Sequence, residues 1–238
     1  MGRRLIMVRH GQTTYNATRR MQGHIDTELS ETGRGQARRA AELLRGAGIR
    51  RILSSDLERA ATTAEAIGEA LGLEVRRDAR LRETHLGEWQ GRTGAEVDAE
   101  LPGARAHWRH DASWAPPGGE SRLDVARRAR PVIDEEMAAW PEWEDSALLV
   151  VAHGGAISAL TSDLLGFAVD QYPLLSGLGN GCWVQLTARP RYRPEEPAAG
   201  AAFTPETVGD AQWYLDGWNL GSTGAVEGNV DMGEGSAR

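Results

Sequence analysis

A single cysteine, Cys182, in 238 residues leaves nothing from which to build a disulfide framework or a thiolate-rich zinc site. Long apolar runs are missing too. Leu5-Ile6-Met7-Val8, near the start, is too short for the core of a signal peptide. The most apolar later segment, ALLVVAHGGAISAL at 147–160, is interrupted by a histidine and glycines and cannot span a bilayer. Nor is there an excess of basic charge. With a net charge of −7, the chain has no broad field to attract nucleic acid or an anionic membrane. Any anion it binds must be held by a local group of arginines. At 40% hydrophobic and 26% charged residues, the composition is that of a soluble globular protein with ample material for a core. A cytoplasmic location is expected.

The patterning along the chain alternates strands with helices. Residues 3–8 form a continuous apolar run bounded by charge, which predicts a buried strand. After a polar loop, Ala37, Ala40, Ala41 and Leu44 fall on one face of a helix that Gly46 and Gly48 end. RRILSSD (50–56) reads as a second strand, 57–71 as an amphipathic helix closed by Gly72, and 73–78 as a third strand. Residues 84–119, rich in Gly, Pro and Trp, have weak periodicity and predict loops and short helices. A helix follows over 121–140. ALLVVAH (147–153) then repeats the first pattern, an apolar run ending in histidine, and leads into another helix. Residues 181–188 and 211–218 predict two late strands, joined by a mobile Pro- and Gly-rich surface loop. The tail from Gly221 is Gly-, Ser- and acid-rich and is expected to be disordered. This alternation predicts an α/β fold with a mainly parallel central sheet flanked by helices, in one domain over 1–220.

In such sheets, ligands sit outside the carboxyl ends of the strands. Three of those ends carry unusual residues: Arg9-His10-Gly11, Ser54-Ser55-Asp56 with Arg59 just beyond, and His153-Gly154-Gly155. If the strands are neighbours, one pocket receives two histidines and two arginines. Helix N-termini at that rim favour an anion, and two arginines beside glycines make a phosphate site. A neutral imidazole can attack phosphorus to form a phosphohistidine. Arg9, Arg59 and a protonated His153 could stabilise the transferring group. Glu83, in LRETHLGEWQG, is the candidate proton donor to the leaving oxygen. The alternative for Glu83 is a surface carboxylate paired with Arg80 or Arg82. Ser54 and Ser55 have no evident base, so they predict a strand end or a hydroxyl contact with phosphate. His24, His85 and the arginine-rich runs read as loop or solvated residues. His107, His110 and Asp111 lack a convincing third ligand for a metal. The eight tryptophans, among them Trp89, Trp108, Trp114 and Trp218, either pack loops onto the core or stack on a sugar.

The segments RHGQTTYN, SSDLERAATTAEAI, LRETHLGEWQG, GGES and VVAHGGAI, in that order over residues 3–187, resemble the motifs of the histidine phosphatase superfamily, the phosphoglycerate mutase-like family. The resemblance implies a three-layer α/β sandwich and a phosphatase working on a small phosphate ester, with neither metal nor organic cofactor. It implies His10 as the phosphorylated nucleophile and Glu83 as proton donor. Arg9, Arg59, His153 and Gly154 would form the phosphate pocket, with Asn16 and Gln22 lining its entrance. A homodimer is the assembly it implies. The short segment after Glu83 resembles the phosphatase branch rather than the mutases, which carry a longer insertion there. RRLIMVRHGQTTYNATRRMQGHIDTELSE, APPGGES and WYLDGWN resemble more narrowly the actinobacterial glucosyl-3-phosphoglycerate phosphatase family. His24 and the 189–209 loop depart from that pattern.

Overall fold

The computed structural model describes residues 2–192, 194 and 202–221. One six-stranded sheet organises them, in the order β3-β2-β4-β1-β5-β6. Strands β1 (Arg3–Arg9), β2 (Ile49–Ser54), β3 (Val75–Arg77) and β4 (Ala147–Ala152) run parallel, while β5 (Trp183–Pro190) and β6 (Ala211–Leu220) are antiparallel additions at one side. The expected mainly parallel sheet is therefore found. Its central strands, buried on both faces, read as unbroken apolar runs because neither face alternates with solvent. Leu5, Ile6, Met7 and Val8 in β1 and the whole of β4 are buried accordingly.

Helices cover both faces. On one side, α2 (Glu31–Leu44) and α3 (Glu58–Leu71) set Ala40, Ala41, Leu44, Ala60, Ala64 and Ile67 against Ile6, Val8, Ile52, Leu149 and Val151. On the other, α6 (Arg122–Ala139) and α7 (Gly154–Leu164) pack Ala129, Val132, Ile133, Ile157 and Leu160 against Leu5, Met7, Leu148 and Val150. Small alanines at the helix contacts let the backbones approach the sheet closely. Local signals set the helix limits. Ser30 caps α2 by accepting from the Gly33 amide, Ser121 caps α6, and Gly72 ends α3 in the left-handed conformation (φ 67°).

Two expectations need adjustment, while residues 84–119 form loops and short helices as expected. β3 has only three residues rather than the six of 73–78, because Leu73 accepts no neighbour strand and instead donates its amide to Gly68 O in the turn after α3. The polar loop after His10 contains a short helix, α1 (Thr14–Ala17), capped by Thr13. Residues 84–119 hold α4 (Gly94–Glu100) and α5 (Ala104–His110), which build a cap around fully buried Trp89 together with Leu86, Val97, Met21, Trp108 and Trp114. Trp89, Trp108 and Trp114 thus pack this cap onto the protein, while Trp140, Trp143 and Trp213 lie in the main core. The expected mobile loop lies partly, and the tail beyond Gly221 wholly, outside the described residues. Among the described residues, no helix is long and apolar enough to cross a membrane.

Candidate active site

The sheet order places the carboxyl ends of β2, β4 and β1 side by side. Backbone bonds carry the ladder one residue past each strand: His10 N donates to Ala152 O at 3.0 Å, and Ser55 N donates to Val151 O at 2.9 Å. His10, Ser55 and His153 therefore meet at one level. The histidine rings lie 5.1 Å apart between centroids, tilted by 60°. Close backbone packing tightens the turn after β1. A Cβ on Gly11 would fall 2.3 Å from Gly33 O, so only glycine admits the start of α2 there.

A cleft opens over this point, lined by Arg9, His10, Asn16, Gln22, Arg59, Glu83 and Gly155, with Trp108, Leu86, Met21 and Arg20 on its outer walls. His10 is buried, and its Nδ1–H donates to the Gly11 carbonyl at 2.7 Å, which leaves Nε2 unprotonated. Burial, with the charges of Arg59 and Arg9 nearby, holds its pKa well below the ordinary histidine value. His153 is fully buried and held neutral in the same way, by burial first and Arg59 second. That direction runs against the protonated His153 read from the sequence.

Both arginines lack a carboxylate partner among the described residues. Arg59, 1% exposed, donates to Ile25 O at 2.9 Å and to Gly23 O at 2.8 Å; Arg9 donates to Leu178 O at 2.5 Å. Burial lowers the pKa of each, that of Arg59 to about 10. Two guanidiniums beside two neutral imidazoles leave unneutralised positive charge, which is what a phosphate dianion requires. Asn16 Oδ1 accepts from Thr13 N (3.1 Å) and Asn180 Nδ2 (3.3 Å), and Gln22 Oε1 accepts from Thr27 (2.6 Å). Each amide thus keeps its NH2 donors for the cleft.

Glu83 is not a surface carboxylate. Arg82 pairs with Asp56, and Arg80 with Asp78 and Glu135. The Glu83 carboxylate instead accepts backbone N–H bonds from Thr84 (2.8 Å), Gly155 (3.1 Å) and Ala156 (3.0 Å), at the positive end of α7. A Cβ on Gly155 would meet Glu83 Oε1 at 2.6 Å, so a larger residue here would push the Glu83 carboxylate aside. At Gly154 an added Cβ meets Arg9 only at an ordinary 3.5 Å, and the cleft wall is made by Gly155.

Several residues that the sequence left aside hold this arrangement. His24 Nε2–H donates to Glu83 O at 2.7 Å, and Arg128 donates to Arg80 O, Arg82 O and Glu83 O at 2.7, 2.8 and 2.7 Å. Glu120 pairs with Arg128 at 2.9 Å and accepts from His85 N at 2.8 Å. Neither His24 nor Arg128 is a solvated surface residue. Nothing in its local pattern singled out Arg128 within its arginine-rich run, because its three acceptors lie more than forty residues away. Asn180, which donates to His10 O at 3.0 Å, sits in the GNG turn before β5. His107 pairs with Asp111 and stacks on Trp114; no set of three metal-ligating side chains occurs among the described residues.

Residues 5–194 match the family model of the histidine phosphatase superfamily, branch 1. The chain belongs to that superfamily. The glucosyl-3-phosphoglycerate phosphatase of Mycolicibacterium vanbaalenii is 52% identical over 221 residues, covering 91% of this chain and 94% of the relative. A solved mycobacterial glucosyl-3-phosphoglycerate phosphatase in complex with VO3 superposes with a TM-score of 0.83 at 50% identity, covering 91% of this chain and 99% of that one. The α-ribazole phosphatase of Shigella flexneri gives 0.66 at 28% identity over 77% of this chain and 89% of that one. The expected three-layer α/β fold and phosphatase class of this histidine phosphatase are thus borne out.

Proposed function

We propose that this histidine phosphatase releases phosphate from glucosyl-3-phosphoglycerate, or a closely similar sugar or organic-acid phosphate, through a phosphohistidine at His10. One observation carries the reading: the Nδ1–H bond to Gly11 O leaves the His10 Nε2 lone pair beside Arg9 and Arg59, neither of which has a carboxylate partner among the described residues. Arg9, Arg59, His153 and the amides of Asn16 and Gln22 would surround the phosphoryl oxygens, with Gly154 beginning the helix whose positive end faces the same pocket. Nε2 attacks phosphorus in line, and Glu83 gives a proton to the leaving oxygen. Water then attacks the phosphohistidine, with Glu83 taking the proton back.

The substrate assignment draws on the identity with the mycobacterial enzymes and on Trp108, which gives the outer cleft a flat apolar wall suited to a sugar face. Residues 1–220 act in this reading as one catalytic domain, in a cytoplasm that keeps the buried Cys182 thiol reduced. Phosphate release should be measured on glucosyl-3-phosphoglycerate, mannosyl-3-phosphoglycerate, 3-phosphoglycerate, phosphoserine and simple sugar phosphates. Glucosyl-3-phosphoglycerate is expected to give the highest kcat/KM. Equal rates on every ester would overturn the substrate assignment, and 2-phosphoglycerate made from 3-phosphoglycerate would point to a mutase.

Glu83 yields a separate prediction. Gly155→Ala crowds its carboxylate and should lower kcat by roughly 10²-fold, within the range that general acid catalysis contributes. Phosphate affinity should change little, since the arginines are untouched. Wild-type kcat in this variant would remove Glu83 from the proton-donor role.

A further inference from the structure

Ser55 touches no part of the open cleft, yet its hydroxyl has one use that the fold does not explain. The residue is fully buried. Its Oγ accepts from the Leu57 amide at 3.3 Å and lies 2.8 Å from His153 Nε2. A hydroxyl has one hydrogen to donate, and of these two neighbours only an unprotonated Nε2 can accept it. With the proton on Nε2 instead, the Ser55 hydrogen would be buried without an acceptor, an arrangement that folded proteins avoid. The His153 proton therefore belongs on Nδ1. That nitrogen is buried and has no hydrogen-bond partner of its own.

We propose that Ser55 is a positioning residue that holds His153 as the neutral Nδ1–H tautomer, a fixed donor for the phosphoryl group carried on His10. The proposal rests on the phosphohistidine reading above. It gives the two neighbouring rings opposite polarity. His10 is fixed by Gly11 O with its lone pair on Nε2, and His153 is fixed by Ser55 with its N–H on Nδ1. One ring offers an electron pair to phosphorus, and the other offers a hydrogen bond to oxygen. No proton moves to or from His153 during the cycle, so its help needs no reorganisation when charge develops. Burial beside Arg59 and Arg9 favours the same neutral state.

The test is a long-range ¹H–¹⁵N spectrum of the full chain labelled at histidine, with and without vanadate, assigning His153 by the signals lost in His153→Gln. The expected wild-type pattern is a neutral ring protonated at Nδ1 in both states. In Ser55→Ala that preference should be lost, and vanadate should bind roughly tenfold more weakly, about the worth of one hydrogen bond to a charged oxygen. A His153 ring protonated at Nε2, or doubly protonated, in the wild type overturns the proposal even if the variant does not fold. So does an alanine variant that keeps both the tautomer and the affinity. A wild-type protein that binds no vanadate and releases no phosphate instead overturns the phosphohistidine reading itself.

Discussion

His10→Ala is expected to lower phosphate release by on the order of 10⁵-fold or more, the scale seen when a nucleophile is deleted from an enzyme. It should also abolish the acid-labile, base-stable phosphoenzyme that labelled substrate leaves in the wild type. The variant should fold, because the bonds that tie this position into the sheet are backbone ones. His10 N donates to Ala152 O, and His10 O accepts from Asn180 Nδ2. Its loss is therefore a loss of chemistry. Equal turnover in wild type and variant, or a phosphoenzyme still trapped in the variant, would sink the mechanism. A pH signature accompanies it. The folded His10 pKa is held well below its ordinary value, first by burial and then by Arg59 and Arg9. The nucleophile is thus unprotonated through the neutral range and below, and the acid limb of kcat/KM should show no group near the ordinary histidine value. The unfolded chain, by contrast, takes up a proton near pH 6.5. Between that value and the lower folded pKa the unfolded state binds more protons, so stability falls on acidification by up to about 1.4 kcal/mol per pH unit for each such histidine. His10→Ala should reduce that slope in denaturation experiments at pH 5 and 7.

The division between what the sequence made legible and what it concealed follows the range of the interactions. β1 and β4 were readable because a strand buried on both faces shows as an unbroken apolar run, and their terminal histidines stood out against it. The end of α3 was readable from Gly72, whose effect acts within its own turn. β3 was overestimated because propensity alone cannot show that Leu73 turns back onto α3. Around the site, Arg9, His10, Arg59, Glu83 and His153 could be found because each follows a strand or lies in a segment of odd composition. Their supports could not. Arg128 reaches Glu83 O from the same helix as exposed Arg127, its neighbour in sequence, and His24 reaches the same carbonyl from a loop. Ser55 gains its partner only when β2 and β4 become neighbours. The tautomer of His153 depends on that contact and so could not be read in advance, whereas His10 is fixed by the carbonyl next to it.

Arg59→Met is expected to lower kcat/KM by roughly 10³- to 10⁵-fold, as removal of an arginine that neutralises a transferring phosphoryl group does elsewhere. Its surroundings in the protein oppose a positive charge in three ways. The side chain is 1% exposed; it sits in the first turn of α3, the positive end of that helix; and Arg9 adds a second cation to the pocket. Among the described residues, only the carbonyls of Gly23 and Ile25 hold it directly, with Glu83 and Asp26 acting through space. A cation kept under these conditions gains its full electrostatic partner when a phosphate dianion enters. Ligand-dependent stabilisation should expose this. Vanadate at a hundred times its Kd stabilises the wild type by about 2.7 kcal/mol and raises its Tm accordingly. At the same vanadate concentration, the Tm of Arg59→Met should not rise. Arg59→Lys should fall between the two, since a single ammonium keeps the charge but cannot bond two carbonyls and still present a planar fork to phosphate. Vanadate affinity within a few-fold of wild type in Arg59→Met would show that Arg9 and the neutral donors suffice, and would assign Arg59 to anchoring the Gly23–Ile25 loop.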